Sequence, residues 1–188
     1  MLIAFHKPYG VLSQFTPDGS QNKTLAEFNF PKGVYPLGRL DADSEGLLLL
    51  SDEAGLNTKL LAPEAKHKRT YWAQVERTPT EEALLKLQKG IYINDFKTLP
   101  CQVWILHPQP QIPERNPPVR FRKNIETCWI ALELVEGKNR QVRKMTASVG
   151  YPTLRLLRVK VGAFELGVLK EGEWRDLSDA ERKMVFKK

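Results

Sequence analysis

Residues 36–51 read PLGRLDADSEGLLLLS, and the fold turns on how that stretch divides. Gly38-Arg39-Leu40 leads into a loop holding Asp41, Asp43 and Glu45, with Asp52 just beyond. Residues 47–50 are four consecutive leucines, the pattern of a short strand buried on both faces. A tight, charged, glycine-flanked loop at the end of a buried strand is a place where chemistry is mounted on a rigid support.

The rest of the chain sets bounds on that chemistry. The chain has 188 residues, 41% of them hydrophobic, enough for one sizeable domain or two small ones packed together. Lys and Arg number 29 against 22 Asp and Glu, a formal net charge of +7. Such an excess suits either a solvated surface or a polyanionic partner, because each neutralised phosphate releases counterions. The basic residues cluster at 66–69, 115–123, 138–144 and 155–160, which favours the polyanion. Cys101 and Cys128 lie far apart in apolar surroundings and read as core thiols of a reducing cytosol. No run approaches the length of a membrane-spanning helix, and the opening MLIAFHKPYG lacks a signal-peptide shape. The expectation is a soluble, cytoplasmic monomer with no membrane partner.

Working outward, residues 2–5 predict a strand stopped by Lys7-Pro8-Tyr9-Gly10. Thr24 and Glu27 form a capping box for a short helix, and residues 52–61 predict another. Composition turns basic at 63–68, which places a junction near residue 65 and gives subdomains 1–65 and 66–188. Residues 70–76 alternate as a strand with Tyr71, Ala73 and Val75 on one face. Thr78-Pro79-Thr80-Glu81 predicts a helix capped by Thr78. Strands are expected at 99–106, 128–135 and 154–161, with a basic helix after Gly137 and a last helix capped by Ser178 and Glu181. Between two of these strands, residues 107–124 hold five prolines and four basic residues, a long loop poised between RNA contact and disorder. The interleaving predicts an α+β fold, with mixed, mostly antiparallel sheets in two packed subdomains and helices on the flanks.

Several chemistries fit the acidic loop. The spacing of Asp41, Asp43, Glu45, Gly46 and Asp52 resembles a calcium loop, but GVYPLGRL cannot be its entering helix. A Mg²⁺-dependent phosphoryl-transfer site on Asp41 and Asp43 has the right spacing, yet the apolar strand follows the loop instead of preceding it. Asp43 and Glu45 read as solvated caps. The remaining option is one ionised carboxylate, Asp41, paired with an arginine and serving as nucleophile or electrostatic base. His6, His67 and His107 are isolated in sequence, and there is no phosphate-binding or dinucleotide glycine loop. An enzyme built here is expected to need no metal and no nucleotide cofactor.

Gly38-Arg39-Leu40-Asp41-x-x-Ser44-x-Gly46-Leu47-Leu48 closely resembles the GRLDxx[ST]xGLL motif of RNA pseudouridine synthases. Lys7-Pro8-x-Gly10 resembles their first motif, and Lys68-Arg69-Thr70-Tyr71 their K-x-Y motif. Leu134-x-Glu136-Gly137-Lys138-Asn139-Arg140-Gln141-Val142-Arg143-Lys144-Met145 resembles their third. Leu157-Arg158-Val159-x-Val161-Gly162 and Gly172-x-Trp174-Arg175-x-Leu177 resemble the closing segment of the RsuA branch. His6, Ser44 and Arg77 depart from the commoner residues, and the branch's RNA-binding S4 domain is expected to be absent.

The resemblance implies isomerisation of a specific uridine in ribosomal RNA, with 23S large-subunit RNA as the partner and no cofactor. Asp41 would be the catalytic carboxylate. Tyr71 would stack on the uracil and help remove the C5 proton, and Arg143 would pair with Asp41 and hold it ionised. Arg39 would hold the flipped nucleotide or its place in the duplex, and Lys7, Lys138, Arg140, Gln141 and Lys144 would bind the RNA. The rivals are a non-catalytic RNA-binding module and the Mg²⁺-dependent phosphoryl-transfer enzyme.

Overall fold

The structure, a computed structural model, describes residues 1–62, 66–119 and 125–187. The expected junction at residue 65 and the basic end of the proline-rich loop, 120–124, lie outside the described residues. In chain order the elements are β1 (Leu2–Lys7), a 3-10 turn (Leu25–Phe28), β2 (Tyr35–Pro36), β3 (Glu45–Ser51) and α1 (Leu56–Leu61). Then come β4 (Arg69–Glu76), α2 (Glu81–Lys89), β5 (Tyr92–Ile93), β6 (Phe96–Lys97), β7 (Gln102–Ile105), β8 (Thr127–Leu134) and α3 (Gln141–Ser148). The chain closes with β9 (Thr153–Val161), β10 (Phe164–Glu165), β11 (Trp174–Asp176) and α4 (Asp179–Val185). The α+β class and the mostly antiparallel pairing agree with the sequence reading.

The packing divides the chain differently from a single junction near residue 65. One unit is Met1–Arg69 together with Leu157–Lys188, and the other is Thr70–Leu156. The first crossing falls between Arg69 and Thr70, at the start of β4. The second crossing falls inside β9, where no turn residue or change of composition signals it.

In the first unit, β3 is buried along its whole length. It pairs antiparallel with β1 from Leu2↔Ser51 to Lys7↔Gly46, and β1 pairs on its other side with β11. At the start of β3, Glu45↔Leu157 and Gly46↔Arg158 form a parallel pairing with β9. β2 pairs with the far end of β3, at Leu50 and Ser51. Leu47 and Leu49 face a core with Leu2, Ala4, Leu56, Leu60, Val161 and Phe164. Opposite partners share a face, so Leu48 lies beside Phe5, whose ring meets Phe28 at 4.8 Å and Phe30 at 5.0 Å. Both faces of β3 are therefore covered, and burying each leucine stabilises by roughly 2 kcal/mol. Two helices are shorter than predicted. Gly55, at φ 78°, delays α1 until Leu56, and Thr24 caps only a 3-10 turn.

In the second unit, β7 pairs antiparallel with β8 from Gln102↔Glu133 to Ile105↔Ile130, and β4 lies beside β8. Ala73, Val75, Ile130, Leu132, Leu87 and Met145 make its core. The helix cap predicted at Thr78 sits at Thr80, whose hydroxyl accepts from the Ala83 N–H. The described part of the proline-rich loop is tied down. Gln109 accepts from the Trp129 N–H at 2.6 Å and donates to the Trp129 carbonyl at 3.1 Å, and Arg155 donates to the Pro113 carbonyl at 2.7 Å.

Candidate active site and its supports

The expected site residues divide between the units. Arg39, Asp41 and Lys7 belong to the first; Tyr71, Lys138, Arg140, Gln141, Arg143 and Lys144 belong to the second.

Asp41 opens a tight turn, closed by the Ser44 N–H donating to the Asp41 carbonyl at 3.0 Å. The residues on either side of it are held by hydrogen bonds. Before it, the Ser13 hydroxyl donates to the Leu40 carbonyl at 2.8 Å and accepts from the Leu40 N–H at 2.9 Å. After it, the Ala42 carbonyl accepts from the Gly10 N–H at 2.8 Å and from Lys7 Nζ at 3.5 Å. Ser44 is buried, and the next residue begins β3. The carboxylate is half-buried on a backbone that has little freedom to move. Arg39 is exposed, and its guanidinium donates to Gln14 Oε1 at 3.1 Å. Ser13 and Gln14 thus brace two consecutive loop residues. Sequence reasoning passed over both, although they directly follow the first motif and its turn.

Two expectations change here. Lys7, expected to bind RNA, is 0% exposed. Its Nζ donates to the carbonyls of Pro8 at 2.9 Å and Val11 at 2.7 Å as well as Ala42. Burial pushes its pKa down to about 7, against the pull of Glu45, Asp43 and Asp41 and with a smaller push from Arg158. Glu45, read as a solvated cap, is 1% exposed and is the strongest of those three pulls. Glu45 is thus a buried carboxylate whose charge favours the ammonium at the end of β1. The basic cluster at 155–160 is also turned largely inward. Arg155 and Arg158 are buried, and Arg158 Nε donates to the Leu47 carbonyl at 2.8 Å.

In the second unit Tyr71 is half-buried and packs against the core on the face shared with Ala73 and Val75. Arg143 is half-buried on α3, and its Nη1 donates to the Thr153 carbonyl at 3.3 Å. Lys138 and Arg140 are exposed, with Lys138 Nζ 5.8 Å from the Phe96 ring centroid, and Lys144 is half-buried. Gln141 is buried. Its amide oxygen accepts from the Lys138 N–H at 2.9 Å, and its amide nitrogen donates to Glu136 Oε1 at 2.5 Å. The same Glu136 oxygen accepts from the Leu99 N–H at 2.8 Å. Gln141 therefore organises the entry to α3, and its amide is not presented to a ligand.

Cys101 is half-buried and Cys128 buried, and burial raises both thiols, Cys101 to about 11. Among the described residues no three His, Cys, Asp or Glu side chains converge as a metal site, and no helix is long and apolar enough to cross a membrane.

The fold has known counterparts. A crystal structure of a pseudouridylate synthase superposes with a TM-score of 0.79 at 24% identity, covering 98% of this chain and 73% of that one. The ribosomal large subunit pseudouridine synthase E of Vibrio vulnificus is 52% identical over 177 residues, 94% of this chain and 75% of that protein. The enzyme of the same name from Xanthomonas axonopodis pv. citri is 53% identical over 171 residues, 90% of each chain. Residues 1–148 match the RNA pseudouridylate synthase family, a span that holds the braced Asp41 turn, the Tyr71 strand and the helix of Arg143. On that match and those relatives, the chain belongs to the RNA pseudouridylate synthase family, enzymes that isomerise uridine to pseudouridine.

Proposed function

We propose that this enzyme converts a specific uridine of large-subunit, 23S ribosomal RNA to pseudouridine, as a cytoplasmic monomer, with Asp41 as the catalytic carboxylate. Two relatives carrying the large-subunit name at over 50% identity support the RNA class. The observation that carries the catalytic assignment is the bracing of Asp41. Leu40 is held on both its N–H and its carbonyl, and Ala42 on its carbonyl, so the carboxylate between them has a fixed origin.

The reaction exchanges bonds within one nucleotide. The N1–C1′ bond breaks, the uracil turns, C5 bonds to C1′, and the C5 proton is lost while N1 gains one. Atoms and electrons balance, so no outside energy source or redox partner is required. Asp41 meets the charge that develops at the sugar as the glycosidic bond breaks. For Tyr71 and Arg143 the reading keeps the roles implied by their motifs: uracil stacking with removal of the C5 proton, and a guanidinium partner for the carboxylate. Arg39, Lys138, Arg140 and Lys144 serve the RNA, whose target base must leave the stack.

The test is tritium release from RNA labelled at uridine C5. Asp41→Asn should abolish release while RNA binding largely survives, and turnover retained by this variant would remove Asp41 from the mechanism. Mapping pseudouridine in ribosomal RNA from cells with and without the protein identifies the nucleotide. Unchanged large-subunit RNA would overturn the assigned substrate.

A further inference from the structure

The ammonium of Lys7 has no place in the chemistry above, yet it is fully buried and bonded to the residue after Asp41. It stands at the end of β1, in register with Gly46, which is itself in register with Arg158 of β9. Three carbonyls surround its Nζ, those of Pro8, Val11 and Ala42. An ammonium has three N–H donors, and three acceptors are present. A neutral amine has two donors and cannot satisfy all three. The contact to Ala42 is the longest, at 3.5 Å against 2.9 and 2.7 Å, and is the one to be lost. That carbonyl belongs to Ala42, the residue that follows Asp41.

We propose that Lys7 is a positioning residue for the isomerisation: its buried ammonium ties the turn after β1 to the turn bearing Asp41, and loss of its proton slackens that tie and lowers kcat without weakening RNA binding. The inference rests on the reading of Asp41 as the catalytic carboxylate. The charged groups that act on Lys7 are Glu45, Asp43 and Asp41, which favour its charged form, and Arg158, which opposes it. Lys7 is the one amine in this set. Burial lowers its pKa to about 7 against the pull of those carboxylates, which brings the loss of its proton near neutrality. Displacing a reacting group by about 1 Å reduces turnover by on the order of 100-fold, so a slackened turn is enough to register in the rate.

The experiment measures single-turnover rate and RNA affinity from about pH 5.5 to about pH 9.5 for the wild type, Lys7→Arg and Lys7→Met. The wild-type rate should fall on the alkaline side with a midpoint near the Lys7 pKa of about 7, while affinity stays level. Lys7→Arg keeps its charge throughout and should hold its rate through the range in which the wild type declines. Lys7→Met should be slow at every pH, by roughly 10-fold or more at the acid end, with no alkaline fall. Identical profiles for wild type and Lys7→Arg, or a Lys7→Met rate equal to wild type near pH 6, would overturn the proposal. Should either variant fail to fold, the wild type with ¹⁵N-labelled lysine decides. The Nζ titration of Lys7 and the rate must share one midpoint, and a rate that falls while Lys7 stays protonated refutes the link. A flat wild-type profile removes Lys7 alone, whereas turnover by Asp41→Asn removes the catalytic reading beneath it.

Discussion

Gly46 lies directly across from Arg158, and a Cβ on Gly46 would sit 2.3 Å from the Arg158 carbonyl oxygen and 2.8 Å from its nitrogen. Gly46 also holds φ 99°, a conformation that side chains resist. No flexible group can yield, because the atoms in the way are backbone. Gly46→Ala should loosen the β3–β9 pairing and destabilise the fold by at least about 2 kcal/mol. Urea denaturation monitored by circular dichroism measures this, and an unchanged midpoint would contradict the close approach.

Ser13→Ala strips the Leu40 N–H and carbonyl of their shared partner in a buried place. Leaving such groups unsatisfied costs roughly 1–3 kcal/mol. Because Leu40 precedes Asp41, kcat should fall more than KM rises. Steady-state kinetics on a minimal RNA substrate separates the two, and a pure KM effect would count against bracing.

Gln141→Leu tests whether that residue holds structure or RNA. It deprives the Lys138 N–H and the Glu136 carboxylate of a partner. The expected result is a lower melting temperature, from a loss of roughly 1–3 kcal/mol, with RNA affinity little changed in the folded fraction. Weakened binding at full stability would return Gln141 to the RNA-contacting set.

Lys7 also ties stability to pH, with a definite sign. Its folded pKa is about 7 against an ordinary value of 10.5. Between those values the unfolded chain binds more protons than the folded one, so this group's contribution to stability rises with pH. Below pH 7 the burden of burying the charge is present in full. Glu53 and Glu181, held at about 2 by Arg182 and Arg175, contribute above the usual carboxylate range and lose that contribution as pH falls towards 2. Both are solvent-facing pairs, so their effect is small. Melting temperatures from about pH 6 to about pH 9 should climb for the wild type, and Lys7→Met should lack that part of the climb. Turnover and stability then move in opposite directions over the same range, which a general loss of folding cannot produce.

The Asp41 turn and the strand behind it were legible because their residues lie close together in sequence. The four leucines announced β3, and the loop before them announced a carboxylate on a rigid support. Lys7 and Glu45 were misjudged for a physical reason. A charged side chain read alone belongs at the surface, and only carbonyls brought together from Pro8, Val11 and Ala42 make burial of an ammonium tolerable. Ser13 and Gln14 escaped notice because their partners lie 27 and 25 residues away, beyond the reach of any local pattern. The cap of α2 moved from Thr78 to Thr80 because both are competent capping residues and the backbone settles which one serves. The return of residues 157–188 to the first unit left no mark, since β9 crosses the division as one continuous strand.

That discontinuity bears on how the protein is made. Synthesis proceeds from the N-terminus, so β1 and β3 emerge well before the β9 and β11 residues that pair with them. All of Thr70–Leu156 is made in between, and that unit has its complete sequence while the first still lacks its closing strands. The leucine-rich strand that supports Asp41 therefore spends that interval on the growing chain without its full set of neighbours. Unpaired apolar strand of this kind on a growing chain is what a chaperone shields.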